Sequence, residues 1–242
     1  MSARSLVRRA WLWLPARLRI ALLGEAFRAE REGEPAPALR RLFDLEDRLA
    51  MDVAVAAMRY GGGLHPRHRL TGDADFFASR VHPGERVVDL GCGLGSIAHA
   101  VAAAGAHVLA LDEDALTLDL ARSRFAHPRL EFRRADARRD PLEGPCDVVI
   151  LSHVLEHLEH RRAFLHRLRA HLAPTRALIA LPLFERAWTV PLRRELAVRW
   201  MSDDTHRAER TREEWLRELE DAGLQVVHHE VAWGELRCEA RF

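Results

Sequence analysis

Val87-Val88-Asp89-Leu90-Gly91-Cys92-Gly93-Leu94-Gly95-Ser96 carries an acid at the end of an apolar run and three alternating glycines in the turn that follows. Glycine lets a backbone turn sharply and approach a ligand without Cβ contact. The helix expected to begin at Ser96 offers unpaired amides to the same ligand. Asp112 stands 23 residues after Asp89, at the end of a second apolar run, where a carboxylate can accept both hydroxyls of a ribose. The rival reading is a nicotinamide dinucleotide fold, whose fingerprint is G-x-G-x-x-G. Here Ser96 takes the place of its third glycine, and Asp89 lies where its charge opposes a pyrophosphate. A cationic ligand suits this turn better.

Outward from the turn, short apolar runs alternate with helical patterns, the signature of β-α units and a parallel sheet. Residues 87–90, 107–112, 130–134, 147–152 and 176–182 read as the first five strands, each near-continuously apolar as a sheet covered on both faces requires. Thr211 with Glu214 forms a capping box that opens the last helix, and Gly223 stops it. Residues 224–231 and 235–242 are two further strands joined through Ala232, Trp233 and Gly234. That link is too short for a helical crossover, so the pair is antiparallel. The expected fold is α/β: seven strands, mostly parallel, closing in an antiparallel C-terminal hairpin and preceded by helices.

At this point the chain resembles the class I S-adenosylmethionine-dependent methyltransferases, over roughly residues 73–242, with the Rossmann-like sheet of that family. The resemblance implies S-adenosylmethionine as cofactor. It places Asp89, Gly91, Cys92, Gly93 and Gly95 around the methionine and ribose, Asp112 on the ribose, and Glu113 beside the adenine. Asp136 with Ala137 would read the adenine edge, and Ser152 would end the fourth strand near the cofactor. Tyr60 to Thr71 precedes the core where family members fold a lid, so Arg69 is expected to meet the cofactor carboxylate. The stretch Asp147-Val148-Val149-Ile150-Leu151-Ser152-His153-Val154-Leu155-Glu156-His157-Leu158 is similar to the fourth motif of small-molecule members, bacterial sugar-type enzymes among them.

His153, Glu156 and His157 also spell H-x-x-E-H, a zinc-peptidase pattern. Zinc would need both histidines on a formed helix and a third ligand downstream; the motif instead leaves a strand, so no metal is expected. His157 or His153 reads as a general base, for which imidazole is suited near neutral pH, and the alternative for either is a structural histidine. Leu183 to Arg210 is longer than a connection requires and is the expected specificity region. Its Asp203-Asp204-Thr205-His206 could orient a polyol, with His206 assisting as base, or could be a helix-capping turn. Arg193, Arg194 and Arg199 could hold an anionic acceptor, although a solvated face is the default. The expected reaction is methyl transfer to a small-molecule hydroxyl of a sugar, glycan precursor or natural product. A binding scaffold without turnover and a nicotinamide oxidoreductase are the alternatives.

Composition bounds these readings. In 242 residues, 48% hydrophobic and 30% charged, there is room for one α/β domain and an extra element. A formal net charge of +1 gives no field of the kind that marks a nucleic-acid binder, so none is expected as partner. Every basic side chain other than histidine is arginine, and lysine and asparagine are absent. Cys92, Cys146 and Cys238 form no close pair, which suggests neither a disulfide framework nor a CxxC site and fits a reducing cytoplasm. The first 28 residues set six arginines among Trp11, Leu12, Trp13, Leu14, Leu18, Ile20, Leu22 and Leu23, with Pro15 breaking the stretch. Such a segment neither spans a membrane nor exports the chain. It is expected to pack its apolar stripe on the catalytic domain, with attachment to an anionic membrane surface as the alternative. Residues 1–62 are thus an expected helical extension or lid and residues 63–242 the catalytic domain, with Gly61 to Gly63 as the joint.

Overall fold

In the computed structural model of the chain, the structure describes residues 3–142 and 144–242, the side chains of residues 3, 4 and 8 excepted. The N-terminal third is helical: α1 (Ala3–Trp13), α2 (Ala16–Arg31), α3 (Pro35–Tyr60), α4 (Arg67–Leu70) and α5 (Asp73–Ala78). Pro15 separates the first two, as its ring and missing N–H require, and α3 ends at Gly61. From there the chain alternates: β1 (Arg86–Leu90), α6 (Ser96–Ala103), β2 (His107–Asp112), α7 (Ala115–Arg124), β3 (Leu130–Arg134), β4 (Val148–Ser152), α8 (Arg161–Leu172) and β5 (Arg176–Pro182). It finishes with α9 (Thr189–Glu195), α10 (Arg212–Asp221), β6 (Gln225–Ala232) and β7 (Glu235–Arg241).

The seven strands form one sheet in the order β3-β2-β1-β4-β5-β7-β6. β1 pairs in parallel with β2 and β4, whereas β7 runs antiparallel to both β5 and β6. Strand side chains alternate faces, and two cores result. Val88, Leu90, Val149, Leu151 and Ile179 point to one face, beneath Leu168 of α8 and Trp215 of α10. Val87, Val148, Ile150 and Leu178 point to the other, against Phe77 of α5 and Val101 of α6. The capping box of Thr211 and Glu214 forms as expected, and Trp215 Nε1 donates to Pro182 O at 3.0 Å, so the buried indole keeps its hydrogen bond.

Two expectations are corrected. β3 is not covered on both faces: Glu131, Arg133 and Arg134 are exposed, because β3 lies at the edge of the sheet. The apolar stripe of the N-terminal helices does not pack on the catalytic domain either. α2 has no buried residue, and Leu12, Trp13, Leu18, Ile20, Leu22, Leu23 and Phe27 are exposed. What anchors the extension is α3. Its Phe43 is buried under the Arg193 guanidinium, and Arg193 pairs with Glu46 at 2.8 Å and Asp47 at 3.0 Å. Arg193, 8% exposed, is therefore neither a solvated residue nor an anion hook but the pin between α3 and α9. Among the described residues no helix is long and apolar enough to cross a membrane.

Candidate active site

The strand order reverses between β1 and β4, and in such sheets ligands settle at the carboxyl ends of the strands at that point. A cavity of about 520 Å³ opens there. Gly91 after β1, Asp112 at the end of β2, Asp136 after β3 and His153 after β4 all line it. Four strand ends thus deliver a glycine turn, two acids and an imidazole to one volume within the size range of cofactor pockets.

The glycines divide their work. Gly91 has φ 69°, and a Cβ there would meet Val154 Cγ2 at 2.9 Å, so its hydrogen lets the turn after β4 close on the turn after β1. Gly93, at φ 52°, has open space where a Cβ would stand. Gly95 is a packing residue: a Cβ would come within 2.6 Å of the Phe132 ring, and it does not line the cavity. Asp112 ties the turn down, with Oδ2 accepting from Gly93 N and Oδ1 from Asp114 N, both at 2.9 Å. Each carboxylate oxygen keeps a further lone pair for a ligand.

Asp89 is fully enclosed, and its Oδ2 has no hydrogen-bond partner. Burial, with Asp112 adding like-charge repulsion, pushes its carboxyl up to about 8. Burial likewise drives the Cys92 thiol far above its ordinary range, so Cys92 is inert and lies outside the cavity lining. Glu113, Asp136 and Ala137 line the far end of the cavity. There Arg138, which sequence reasoning passed over, hydrogen-bonds Asp136 Oδ1 at 2.8 Å and Glu113 Oε2 at 2.5 Å. The hydrogen bond from Arg138 holds Asp136 below the usual carboxylate range. One arginine in an arginine-rich chain carries no signal of its own, so only the fold distinguishes it.

Ser152 ends β4 half-buried but is not part of the cavity wall. Arg69 is exposed on α4 and does not line the cavity. Its neighbour one half-turn earlier, Arg67, reaches inward instead, pairing with Glu235 beside a second cavity of about 340 Å³, from which Arg69 is also absent. The helix periodicity of a four-residue segment is too short to tell these two arginines apart.

The histidines converge. His153 adopts φ 56°, unusual for a residue with a Cβ, and redirects the chain from β4 into a single 3-10 turn, Leu155–His157. His153 Nδ1 lies 3.0 Å from Glu156 Oε1, and its Nε2 lies 3.3 Å from Glu235 Oε1. His157 lines both cavities, and its Nδ1 lies 2.9 Å from Thr205 Oγ1. The one hydroxyl proton of Thr205 goes to Asp203 Oδ1 at 2.6 Å. Thr205 therefore accepts from His157 Nδ1–H, and the His157 lone pair sits on Nε2. The same Thr205 bond holds the Asp203 carboxyl low.

His206 is buried, with its Nδ1 2.7 Å from Glu209 Oε1 and its ring edge-on to His157 at 4.6 Å. Burial alone would raise Glu209, but His206, Ser202 and Arg186 outweigh it and bring the carboxyl down to about 2. An ionised Glu209 accepts only, so His206 donates to it from Nδ1–H. Asp203 to His206 caps no helix: Asp203, Asp204 and Thr205 are exposed, while Thr205 and the buried His206 meet the His157 ring. A third potential donor does stand downstream of the motif: one donor atom each from Glu156, His157 and His206 lies within 4.8 Å of the other two. The pair that matters is Glu156 with His157, not the two histidines of the H-x-x-E-H spelling.

The sheet order and the cavity at its reversal define a Rossmann-like ligand-binding domain. The chain belongs to the methyltransferase-domain family, whose model matches residues 27–229. It is 31% identical over 153 residues to a ubiquinone biosynthesis O-methyltransferase of Rhodopseudomonas palustris (strain BisA53), an alignment covering 60% of each chain. It is 39% identical over 93 residues to the demethylmenaquinone methyltransferase of Clavibacter sepedonicus, covering 38% of each. The chain thus spans 60% or less of the length of these relatives. Human N-acetylserotonin methyltransferase, solved with S-adenosylmethionine, superposes with a TM-score of 0.57 at 20% identity, over 76% of this chain and 55% of that one. At that identity the likeness is one of fold.

Proposed function

We propose that the protein transfers the methyl group of S-adenosylmethionine to a hydroxyl of a small-molecule acceptor. The observation that carries this reading is one cavity walled at one end by Gly91, Asp112, Glu113 and Asp136, and at the other by His153, His157 and Thr205. An enclosed, unpartnered Asp89 Oδ2 and the open space above Gly93 suit a cationic nucleoside thioether. S-adenosylmethionine supplies an electrophilic methyl on a sulfonium sulfur. Asp112 would take the ribose hydroxyls, Glu113 would flank the adenine, and Asp136 with Ala137 would read its edge. Asp89 and the turn at Gly91 and Gly93 would cradle the methionine half.

Transfer breaks the sulfur–methyl bond, leaves that electron pair on sulfur and forms an oxygen–methyl bond. The hydroxyl proton would pass to His157 Nε2, the lone pair that Thr205 and Asp203 hold in place. Most of the rate would come from positioning the two reactants in one enclosed volume. His153 would be less available to the acceptor, since carboxylates take up both its ring nitrogens. His206 would act through His157 and not on the acceptor directly.

The sequence motifs favour a sugar-type hydroxyl, whereas the relatives' names favour a ring hydroxyl on a quinone precursor. Residues 1–62 would serve as an extension whose exposed Leu12, Trp13, Leu18 and Ile20, with Arg9, Arg17 and Arg19, meet an anionic lipid surface. The Cys146 and Cys238 thiols are free, and burial pushes both up to about 12, as befits a cytoplasmic protein. The test begins with thermal denaturation: S-adenosylhomocysteine should raise the melting temperature while NAD and NADP do not. Incubation with methyl-labelled donor and separate pools of glycans and quinone precursors should then label a product from one pool. The opposite ligand ranking would move the protein to the oxidoreductases, and cofactor binding with no labelled product from any pool would leave a scaffold.

A further inference from the structure

We infer that Glu156, His157 and His206 form a binding site for a divalent transition-metal ion, buried beside the two cavities that His157 lines. Their donor atoms lie within 4.8 Å of one another, and the chain is built to keep them there. Arg207 N and Ala208 N both donate to Glu156 O, at 2.7 and 3.3 Å, so the loop bearing His206 is pinned by its own backbone onto the turn bearing Glu156 and His157. His206 Nε2 stands 4.0 Å from Glu156 Oε1, too far for a hydrogen bond. The two atoms therefore make no direct bond to each other, and a cation seated between them would contact both.

A second observation points the same way. Glu156 is completely buried, and its Oε2 has no hydrogen-bond partner; a buried carboxylate oxygen in that condition is costly. The outer ring of contacts is also that of a metal centre. Glu209 orients His206 through Nδ1 and Thr205 orients His157 through Nδ1, as carboxylates and hydroxyls do behind metal-bound imidazoles. His153 steadies Glu156 from the other side. Two imidazoles and one carboxylate select a first-row transition ion over magnesium or calcium, and three protein ligands leave a position open. Bonds of about 2.0–2.2 Å require tetrahedral donors roughly 3.3–3.5 Å apart, so closing on the ion takes a contraction of up to about 1.5 Å.

His157 lines both cavities and His206 the smaller one. On the methyl-transfer reading, an acceptor oxygen on the ion would be acidified and would lose its proton to solvent water, because His157 would then be a ligand instead of the proton acceptor. The site itself does not depend on that reading.

The test uses full-length protein stripped with chelator and titrated with zinc against a chromophoric competitor, and with cobalt for its visible spectrum. One equivalent should bind, with intense cobalt absorption at about 500–650 nm, of the strength that four- or five-coordinate sites give. Glu156→Gln and His206→Ala should each lose the cobalt band and weaken zinc binding by about 100-fold or more, and Glu209→Gln should weaken it about 10–100-fold. His153→Ala should retain one equivalent. Binding that is absent, or unchanged in Glu156→Gln and His206→Ala variants that still melt cooperatively, overturns the site. S-adenosylhomocysteine calorimetry separates the two claims. Cofactor binding without zinc binding removes the metal alone, whereas one equivalent of zinc without cofactor binding upholds the site and removes the methyltransferase reading.

Discussion

Asp89→Asn isolates the electrostatics of the glycine turn. The folded protein holds the Asp89 carboxyl at about 8 against an ordinary value of 3.8, because it is enclosed and faces Asp112. Between those values the unfolded chain releases the proton and the folded chain keeps it, so wild-type stability falls as pH rises across the window and levels off above it. A window roughly four pH units wide, at about 1.4 kcal/mol per unit, sets a ceiling of about 6 kcal/mol. Relaxation and water entry in a buried site reduce that to about 2–3 kcal/mol. Asparagine has the same shape and cannot ionise, so its own cost is independent of pH. In a chain of this size 1 kcal/mol moves the melting temperature by about 2–4 °C. The difference in melting temperature, asparagine variant minus wild type, should therefore grow by about 5–10 °C from pH 4 to pH 8. Scanning calorimetry on the protein without ligand reads this directly. A difference that stays constant over those pH values would show that Asp89 is not buried in the way its surroundings indicate.

Asp112→Ala should abolish the stabilisation by S-adenosylhomocysteine, since it removes both the ribose acceptor and the clamp on Gly93 N; an undiminished shift would refute that assignment. Gly95→Ala places a methyl against the Phe132 ring at a backbone φ of 79° and should cost about 2–4 kcal/mol in denaturant unfolding, partly restored by Phe132→Leu; a neutral Gly95→Ala would contradict the packing role. Arg193→Ala should release α3 from α9, so that limited proteolysis cuts near Gly61 to Gly63 at least several-fold faster while the catalytic domain keeps its cofactor affinity. Trp13→Glu with Ile20→Glu should prevent sedimentation with anionic vesicles if the exposed stripe meets lipid, and equal sedimentation of both proteins would leave that stripe without this role.

The sheet was legible because its signal is local. Val87 to Leu90 and Asp147 to Ser152 are apolar runs bounded by turn residues, and the three-residue link Ala232 to Gly234 permits only an antiparallel return. β3 was legible as a strand but not as an edge, since an edge is defined by which neighbour is missing. The N-terminal helices show the converse. Periodicity tells that α1 and α2 carry an apolar stripe; it does not tell what covers it, and α3 is held by Arg193, whose partners lie 146 and 147 residues away, and by Arg40, which donates to Leu196 O.

The active site splits along the same line. The half proposed to hold the cofactor is written in the chain at short range, because Asp89, Gly91 and Gly93 occupy one turn and Asp112 ends the next strand. Its acceptor half is assembled across some fifty residues, with Thr205 on His157 and His206 against Glu156. No periodicity links those pairs. They meet because Glu156 O accepts two backbone amides from the 206–208 loop, and because His153, at positive φ, turns the chain away from β4. The H-x-x-E-H spelling pointed to the right residues for the wrong geometry: a helix would pair His153 with His157, whereas the 3-10 turn sends His153 to Glu235 and leaves His157 facing His206. A loop of different length between β5 and α10 would keep the glycine turn and lose this arrangement, so the histidine cluster depends on the insertion as much as on the end of β4.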